Sequence, residues 1–242
     1  MAIETLKKRG YHVVRMSATR AAEIDPTLIP LFEKYRIELS QWEWDKYYEC
    51  KEIKEGLLVM FPVVAERVPT QQYADQGLRP LYYFGIDVGR VSDSTVVKVI
   101  ERWGDIANEV ATFNIGTGLE FHVQAEAIYN WIDKGYVWHP SRIAIELNGP
   151  GMGLFDPFNK IMQEQGTGMH VVGITTDEGI KEDTWHWINT NMREKKFGVA
   201  EPAEREKMGN LMYNVREKDA KIEFEHSDEH MARVMALQFL QG

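Results

Sequence analysis

The sequence predicts an α/β fold in which helices cover both faces of one mixed β-sheet. From residue 81 onward, three segments rich in β-branched and aromatic residues follow one another with short connections, which is typical of an antiparallel meander. After residue 118, segments with apolar residues at helical spacing alternate with short apolar segments, which gives the order β-β-β-α-β-α-β-α. Strands and helices in this order are expected to bury the sheet between two helical layers.

The beginning of the chain has a different character and is predicted to be a separate segment of helices and extended chain. Asp25 and Pro26 can open a helix. The run GLLVMFPVV at residues 56–64 predicts a strand, and a polar connector rich in Pro and Gly follows it. We therefore expect a domain boundary near residue 78, which divides the chain into residues 1–78 and 79–242.

The elements of the second part can be placed in order. The three strands of the meander are LYYFGIDVG, STVVKVIERW and NEVATFNIGT. A helix at 119–135 stops at a glycine, and the strand RIAIELN follows at 142–148. After it come the helix LFDPFNKIMQEQG, the strand HVVGITT, a charged helical stretch over about 180–217, the strand KIEFE and the helix DEHMARVMALQFLQ.

Composition limits the classes of protein to be considered. No apolar run approaches the roughly 20 residues needed to cross a bilayer, and the N-terminus lacks the pattern of a signal peptide, so we expect an intracellular protein without membrane partners. The single cysteine excludes an intramolecular disulfide, and the seven scattered histidines give no paired spacing for structural zinc. A bound metal would therefore be held by oxygen.

The charge balance argues against a uniformly basic nucleic-acid-binding protein. The formal net charge is −9, whereas affinity for DNA comes largely from Lys and Arg. A nuclease is not excluded, because enzymes that hold divalent cations on carboxylates are locally acidic. Arg193, Lys195 and Lys196 begin a basic stretch that could bind DNA, although interleaved glutamates leave a solvated helix face as the alternative.

Three carboxylates stand at the boundaries of predicted elements. Asp87 lies near the end of the first meander strand, Glu146 near the end of RIAIELN, and Asp228 at the start of the last helix. Neighbouring strand ends meet at one sheet edge, and clustered carboxylates repel unless a cation neutralises them. We expect two Mg²⁺ or Mn²⁺ ions there and phosphodiester hydrolysis. Asp87 as a turn residue and Asp228 as a helix N-terminal charge are the alternatives.

These residues lead to a known family. The segments GIDVGRVSDST, IAIELNGPGMG and HSDEHMARVMALQFL resemble the nuclease domain of phage terminase large subunits, over roughly residues 80–242. That domain has a ribonuclease H-like fold and cuts concatemeric double-stranded DNA during genome packaging. The resemblance implies that Asp87, Glu146 and Asp228 are the catalytic metal ligands.

The resemblance implies further roles and partners. Asp93 and Glu229 match additional acidic positions and are expected at the metal site, and Lys181 is expected to contact the scissile phosphate. Residues 10–64 look like the end of the ATPase domain that precedes the nuclease. The implied partners are double-stranded DNA, the terminase ATPase domain, the small terminase subunit and the portal protein, in the host cell cytoplasm.

One departure from the family concerns the motor. No G-x-x-x-x-G-K-[ST] occurs in the chain, so the phosphate cradle of a packaging ATPase is missing. We expect either the C-terminal part of a longer subunit or a separately encoded nuclease half. Three alternatives stay open: an actin- or sugar-kinase-like ATP-binding domain, a Holliday-junction-resolvase-like nuclease, and a non-catalytic docking module.

Overall fold

The computed structural model divides the chain into two compact units, Met1–Glu55 and Gly56–Gly242. In the first unit, helix α1 spans Ala18–Ile24, a 3₁₀ turn spans Pro26–Leu28 and helix α2 spans Ile29–Glu38. The residues that the structure describes are 16–38, 44, 48, 56–89, 93–135, 140–167, 169–216, 221–224 and 227–240.

The helix opening predicted at Asp25 and Pro26 is confirmed. The Asp25 carboxylate accepts a hydrogen bond from the backbone N–H of Thr27 at 3.0 Å, and Pro26 occupies the first position of the turn. A side-chain acceptor before the first turn satisfies a donor that has no partner within the helix. Proline is tolerated there because its missing N–H would be unpaired in any case.

The second unit is built on a six-stranded mixed sheet. Its strands are β2 Leu81–Asp87, β3 Thr95–Trp103, β4 Ile106–Ile115, β5 Pro140–Glu146, β6 Val171–Ile174 and β7 Phe197–Val199. They lie in the order β6-β5-β2-β3-β4-β7. Strands β2, β3 and β4 pair antiparallel, whereas β5, β6 and β7 pair parallel to β2, β5 and β4 respectively. The predicted meander and the ribonuclease H-like mixed sheet are thereby confirmed.

Helices cover both faces of this sheet, as predicted. The helices of this unit are α3 Gln71–Asp75, α4 Phe121–Gly135, α5 Gly151–Glu164, α6 Glu178–Arg193, α7 Pro202–Gly209 and α8 Asp228–Leu237. Helices α4 and α5 bury Ile128 and Phe158 against one face, and α8 packs Val234 and Met235 against Ala144 on the other. Among the helices of the described part of the chain, none is long and apolar enough to span a membrane.

The charged stretch over about 180–217 is not one helical region, and that prediction was wrong. It contains helix α6, strand β7, helix α7 and strand β8, which spans Met212–Arg216. The short apolar run of β7 is fully buried and pairs parallel to β4, while Pro202 starts a new helix. Burial of this run beside the sheet therefore outweighs the helical propensity of the charged residues around it.

A second, three-stranded antiparallel sheet is formed by β8 with two further strands, β1 Gly56–Val59 and β9 Lys221–Phe224. Its order is β1-β8-β9. The strand predicted as KIEFE therefore belongs to this small sheet. Because β1 pairs with β8, it packs within the second unit. The domain boundary near residue 78 stays a prediction.

Candidate metal centre

Helix α8 packs so closely against strand β2 at Gly85 that there is no room for a side chain at that position. A Cβ atom at Gly85 would lie 2.0 Å from the carbonyl oxygen of Ala232 and 2.3 Å from the backbone nitrogen of Ala236. Glycine is therefore required at this point of the strand. Because side chains alternate along a strand, Asp87 leaves the sheet on the same face, towards α8.

Glu146 reaches this face from the neighbouring strand. Ala144 of β5 packs against Val234 and Met235 of α8, and Glu146 follows two residues later on the same face. Strands β2 and β5 are parallel and paired up to Ile86 and Ile145, so the two acidic residues come next in register. The carboxyl ends of two parallel strands thus present both carboxyl groups at one edge.

Asp228 enters from the helix that covers this edge. It is the first residue of α8, and Ser227 caps the helix by accepting a hydrogen bond from the backbone N–H of His230 at 3.3 Å. The cap fixes where the helix begins and hence which residue stands at its N-terminus. The negative charge of Asp228 acts on Asp87, which places the two carboxyl groups within electrostatic reach of each other.

The Asp87 carboxyl forms a hydrogen bond with Glu146 and has a raised pKa. Burial raises the pKa of Asp87 to about 8, together with the negative charge of Glu146, a hydrogen bond to Glu146 and the charge of Asp228, while the backbone N–H of Val88 acts in the opposite direction. At neutral pH the Asp87 carboxyl is therefore largely protonated and donates to Glu146. A divalent cation bound by the same oxygens would replace this proton and relieve the repulsion.

The carboxylate of Glu146 is held by two side chains from adjacent loops. Its Oε1 accepts a hydrogen bond from Asn148 Nδ2 at 3.1 Å and another from the hydroxyl of Thr176. Asn148 also donates to Thr176 Oγ1 at 2.7 Å and to the Thr176 carbonyl oxygen at 2.8 Å. Glu146 is buried, so these donors stabilise a charge that has little access to water.

The remaining predicted acidic residues are Asp93 and Glu229. Asp93 is exposed, and neither Asp93 nor Glu229 is among the groups that shift the pKa of Asp87. Glu229 Oε1 accepts a hydrogen bond from Lys207 at 3.3 Å. Burial alone would raise the pKa of Glu229, but its own backbone N–H and Lys207 hold it below the usual value. The metal-binding roles of both residues stay predictions.

As placed, the described residues include no group of three or more His, Cys, Asp or Glu side chains that converges closely enough to hold a metal ion. The arrangement is a hydrogen-bonded pair, Asp87 and Glu146, with Asp228 in electrostatic reach. Carboxylate oxygens are the ligands that Mg²⁺ and Mn²⁺ prefer, and the donor set therefore fits a hard cation.

The predicted DNA-binding residues occupy opposite ends of helix α6. Lys181 is half-buried in the first turn, and its positive charge reaches His230 of α8. Arg193 ends the helix, about 18 Å further along at 1.5 Å per residue. Lys195 and Lys196 follow it, and Lys196 Nζ donates to Glu194 at 2.6 Å. Of these four residues, Lys181 is the one whose charge acts on His230 of the helix that carries Asp228.

A buried ion network, which sequence reasoning missed, connects α8 to the sheet. Lys98 Nζ donates to Glu109 Oε1 at 2.9 Å and also to Glu204, and Arg233 Nη2 donates to Glu109 Oε1 at 3.1 Å. Burial would raise the pKa of Glu109, but Arg233 and Lys98 outweigh it and lower the pKa to about 2. A lysine and a glutamate inside two adjacent apolar strands were the signal that could have revealed it.

Sequence reasoning also missed Asn148 and Thr176. The sequence gives less indication of their contact with Glu146 than it gives of the buried ion network. Asn148 stands in the glycine-rich turn after β5, and Thr176 follows β6 in the segment GITTDEG. Both residue types are common in turns for local reasons. Only the parallel pairing of β5 and β6 shows that their side chains meet at Glu146.

Comparison with known proteins identifies similar folds among solved structures. A large terminase from a thermophilic bacteriophage, in its crystal form 3, matches with a TM-score of 0.61 and 12% identity, covering 100% of this chain and 59% of that chain. The large terminase of bacteriophage HK97 matches with a TM-score of 0.53 and 10% identity, covering 76% of this chain and 44% of that chain. The large terminase nuclease of the thermophilic phage G20c, solved with magnesium, covers 77% of this chain and 89% of its own at 16% identity, but its TM-score of 0.49 is too low to support a conclusion.

No family model matches the chain, and no curated protein matches it either. The chain spans 59% of the length of the first of these large terminases. At these levels of identity the comparisons show a fold shared with phage large terminases, and the chemistry must be argued from the residues themselves.

Proposed function

We propose that this chain is a metal-dependent endonuclease that cuts double-stranded DNA during phage genome packaging, as the nuclease part of a terminase large subunit. The observation that carries the proposal is the hydrogen-bonded pair of Asp87 and Glu146 at the ends of two parallel strands, with Asp228 in electrostatic reach. The shared fold of phage large terminases supports the same function.

Asp87, Glu146 and Asp228 are the proposed ligands of two Mg²⁺ or Mn²⁺ ions. Bound there, the ions would supply an activated water and would stabilise the leaving 3′ oxygen of a phosphodiester. Asp87 must give up its proton for this role, and the protonated pair is what carboxylates adopt when their charges are not otherwise compensated. Asp93 and Glu229 are proposed as supporting acids at the same edge.

Lys181 is the proposed contact to the scissile phosphate. It is half-buried in the first turn of α6, and its charge reaches α8, the helix that begins with Asp228. Arg193, Lys195 and Lys196 lie at the far end of α6 and are proposed to hold DNA away from the cut. Because these contacts address phosphates, we propose cutting with little sequence preference.

The proposed partners follow from the same function. They are double-stranded DNA, a terminase ATPase domain, the small terminase subunit and the portal protein, and the proposed site of action is the host cell cytoplasm. The chain spans 59% of the first large terminase that it matches. The proposal therefore assigns only the nuclease activity to this chain.

The experiment that tests the function is conversion of supercoiled plasmid to nicked and linear DNA by the purified chain. Cutting is expected with Mn²⁺ and Mg²⁺ and is expected to stop with EDTA. Asp87→Asn should abolish it, whereas Asp133→Asn, which changes an exposed carboxylate on α4, should cut like the wild type. A folded wild-type protein that cuts with neither metal would contradict the proposal.

A further inference from the structure

Glu146 is the end point of a short chain of side-chain hydrogen bonds. Asn148 Nδ2 donates to the Thr176 hydroxyl at 2.7 Å, and that hydroxyl donates to Glu146 Oε1. Asn148 also donates directly to the same oxygen at 3.1 Å. Hydrogen bonds in series polarise one another, so the hydroxyl becomes a stronger donor to the carboxylate.

The backbone holds both donors in place. Strands β5 and β6 are parallel and paired as far as Glu146 and Ile174, and the backbone N–H of Leu147 donates to the Ile174 carbonyl oxygen at 2.7 Å. Thr176 follows two residues after β6 and is buried. Asn148 Nδ2 also donates to the Thr176 carbonyl oxygen at 2.8 Å, so a second hydrogen bond connects the two loops.

The two donors converge on one carboxylate oxygen. A carboxylate oxygen has about two lone-pair directions, and Asn148 and Thr176 fill those of Oε1. Neither of these two donors uses Oε2. Fixing one oxygen in this way sets the plane of the carboxylate and the direction of the other oxygen.

We infer that Thr176, supported by Asn148, is a positioning residue that orients Glu146 for a divalent cation. The inference deepens the proposed function and rests on it. The Thr176 hydroxyl contacts two side chains of this site, whereas the buried hydroxyl of Thr184 donates to the backbone carbonyl oxygen of Ile180 at 2.8 Å and accepts from Gln238 Nε2, just past the end of α8, at 2.9 Å. Thr184 therefore offers a matched control, a buried threonine hydroxyl that also donates one hydrogen bond and accepts one, but with partners other than the candidate metal ligands.

The test is calorimetric titration of the purified full chain with MnCl₂ alone. Thr176→Val removes the hydroxyl at nearly constant shape and is expected to weaken Mn²⁺ binding by about 10- to 100-fold, the usual effect of losing a partner of a metal ligand. Thr176→Ser should restore affinity to within about threefold of the wild type, because it returns the donor. Thr184→Val should bind Mn²⁺ like the wild type.

Unfolding without metal separates positioning from stability. Thr176→Val should lower the melting temperature no more than Thr184→Val, since each loses one buried hydroxyl. If Thr176→Val does not fold, Asn148→Ala at an exposed position decides the question: weaker Mn²⁺ binding supports the inference and unchanged binding overturns it.

The outcomes distinguish the inference from the proposed function. If the wild type binds Mn²⁺ and cuts plasmid, and Thr176→Val binds Mn²⁺ with unchanged affinity, the inference is overturned and the proposed function stands. Failure of Thr176→Ser to restore affinity overturns the inference as well. Wild-type protein that neither binds Mn²⁺ nor cuts plasmid contradicts the metal site itself, and the inference falls with it.

Discussion

The carboxyl group of Asp87 donates a hydrogen bond to Glu146 across the two parallel strands β2 and β5. Two carboxyl groups that form a hydrogen bond with each other need a proton between them, and two ionised carboxylates at the same place would repel each other without a cation. Burial, the charge of Glu146 and the hydrogen bond between them raise the pKa of Asp87 to about 8, so the Asp87 carboxyl is largely protonated at neutral pH. We expect a divalent cation to replace that proton.

Mn²⁺ is expected to raise the melting temperature of the wild type but not that of Asp87→Asn. A cation that binds only the folded state stabilises it by mass action, and the variant lacks one of the proposed ligands. The amide side chain of the variant would still donate an N–H to Glu146, so the metal-free variant should fold. Thermal unfolding with and without MnCl₂ measures the shift.

Asp133→Asn is the control for that experiment, because Asp133 is an exposed carboxylate on α4. It should keep the full Mn²⁺-dependent shift. An equal shift in Asp87→Asn and the wild type would show that Mn²⁺ binds elsewhere, and the assignment of Asp87 would then be wrong.

Arg233→Met is expected to lower the free energy of unfolding by about 3 kcal/mol, because removing one member of a buried ion network leaves its partner incompletely compensated. Arg233 and Glu109 are both almost fully buried, and Glu109 would keep only Lys98. The exposed pair of Lys160 and Glu164 provides the control. Lys160→Met should change stability by less than about 0.5 kcal/mol in the same urea titration.

The result that would contradict this prediction is equal stability of Arg233→Met and Lys160→Met. It would mean that the methionine side chain compensates for the lost ion pair by packing, which happens when a buried charge network is replaced by apolar groups.

Protonation of Glu109 is expected to lower the free energy of unfolding at acidic pH. Its folded pKa is about 2, below the ordinary 4.5, so its contribution is complete above pH 4.5 and is lost as the pH falls from 4.5 towards 2. Lys98, Arg233 and Glu204 face it from the neighbouring elements. Glu109→Gln should therefore show a shallower loss of stability over that interval, measured by urea unfolding at several pH values.

Glu164→Gln serves as the matched control, because Glu164 is exposed on α5. It should follow the wild-type curve. If Glu109→Gln also follows that curve, protonation of Glu109 does not contribute to the loss of stability between pH 4.5 and pH 2. The low pKa of Glu109 would then not be the cause of acid unfolding in this interval.

Much of the fold could be predicted because its signals are local. Strand β2 is joined to its meander partners by short connections, and α4 and α5 show their apolar residues at helical spacing. Strand β7 could not be predicted, since three residues between charged segments give no period, and only its pairing with β4 defines it. Pairing between distant segments has no local signature.

In the candidate site, too, the features with a local sequence signal could be predicted, and those that depend on pairing between distant segments could not. Asp87, Glu146 and Asp228 could be placed at element ends from the sequence, and the structure puts them on one face of the sheet within electrostatic reach. Their role as metal ligands stays a prediction. Thr176 could not be connected with Glu146, because the contact depends on β6 lying beside β5.

Gly85→Ala is expected to lower both stability and DNA cutting. The added Cβ would lie 2.0 Å from the Ala232 carbonyl oxygen, a backbone atom that cannot move without displacing α8. Overpacking of this kind costs about 1–3 kcal/mol, and a shift of α8 carries Asp228 away from Asp87. Plasmid cutting with Mn²⁺ should therefore fall even at temperatures where the variant remains folded.

Gly116→Ala is the matched control for Gly85→Ala, because a Cβ at Gly116 meets nothing within 4 Å. It should leave the melting temperature and the cutting rate at wild-type values. The decisive comparison is at a temperature well below both melting transitions. There, a folded Gly85→Ala protein that cuts as fast as Gly116→Ala would show that the closeness of α8 and β2 does not matter to the site, and that Asp228 reaches it by another route or does not take part.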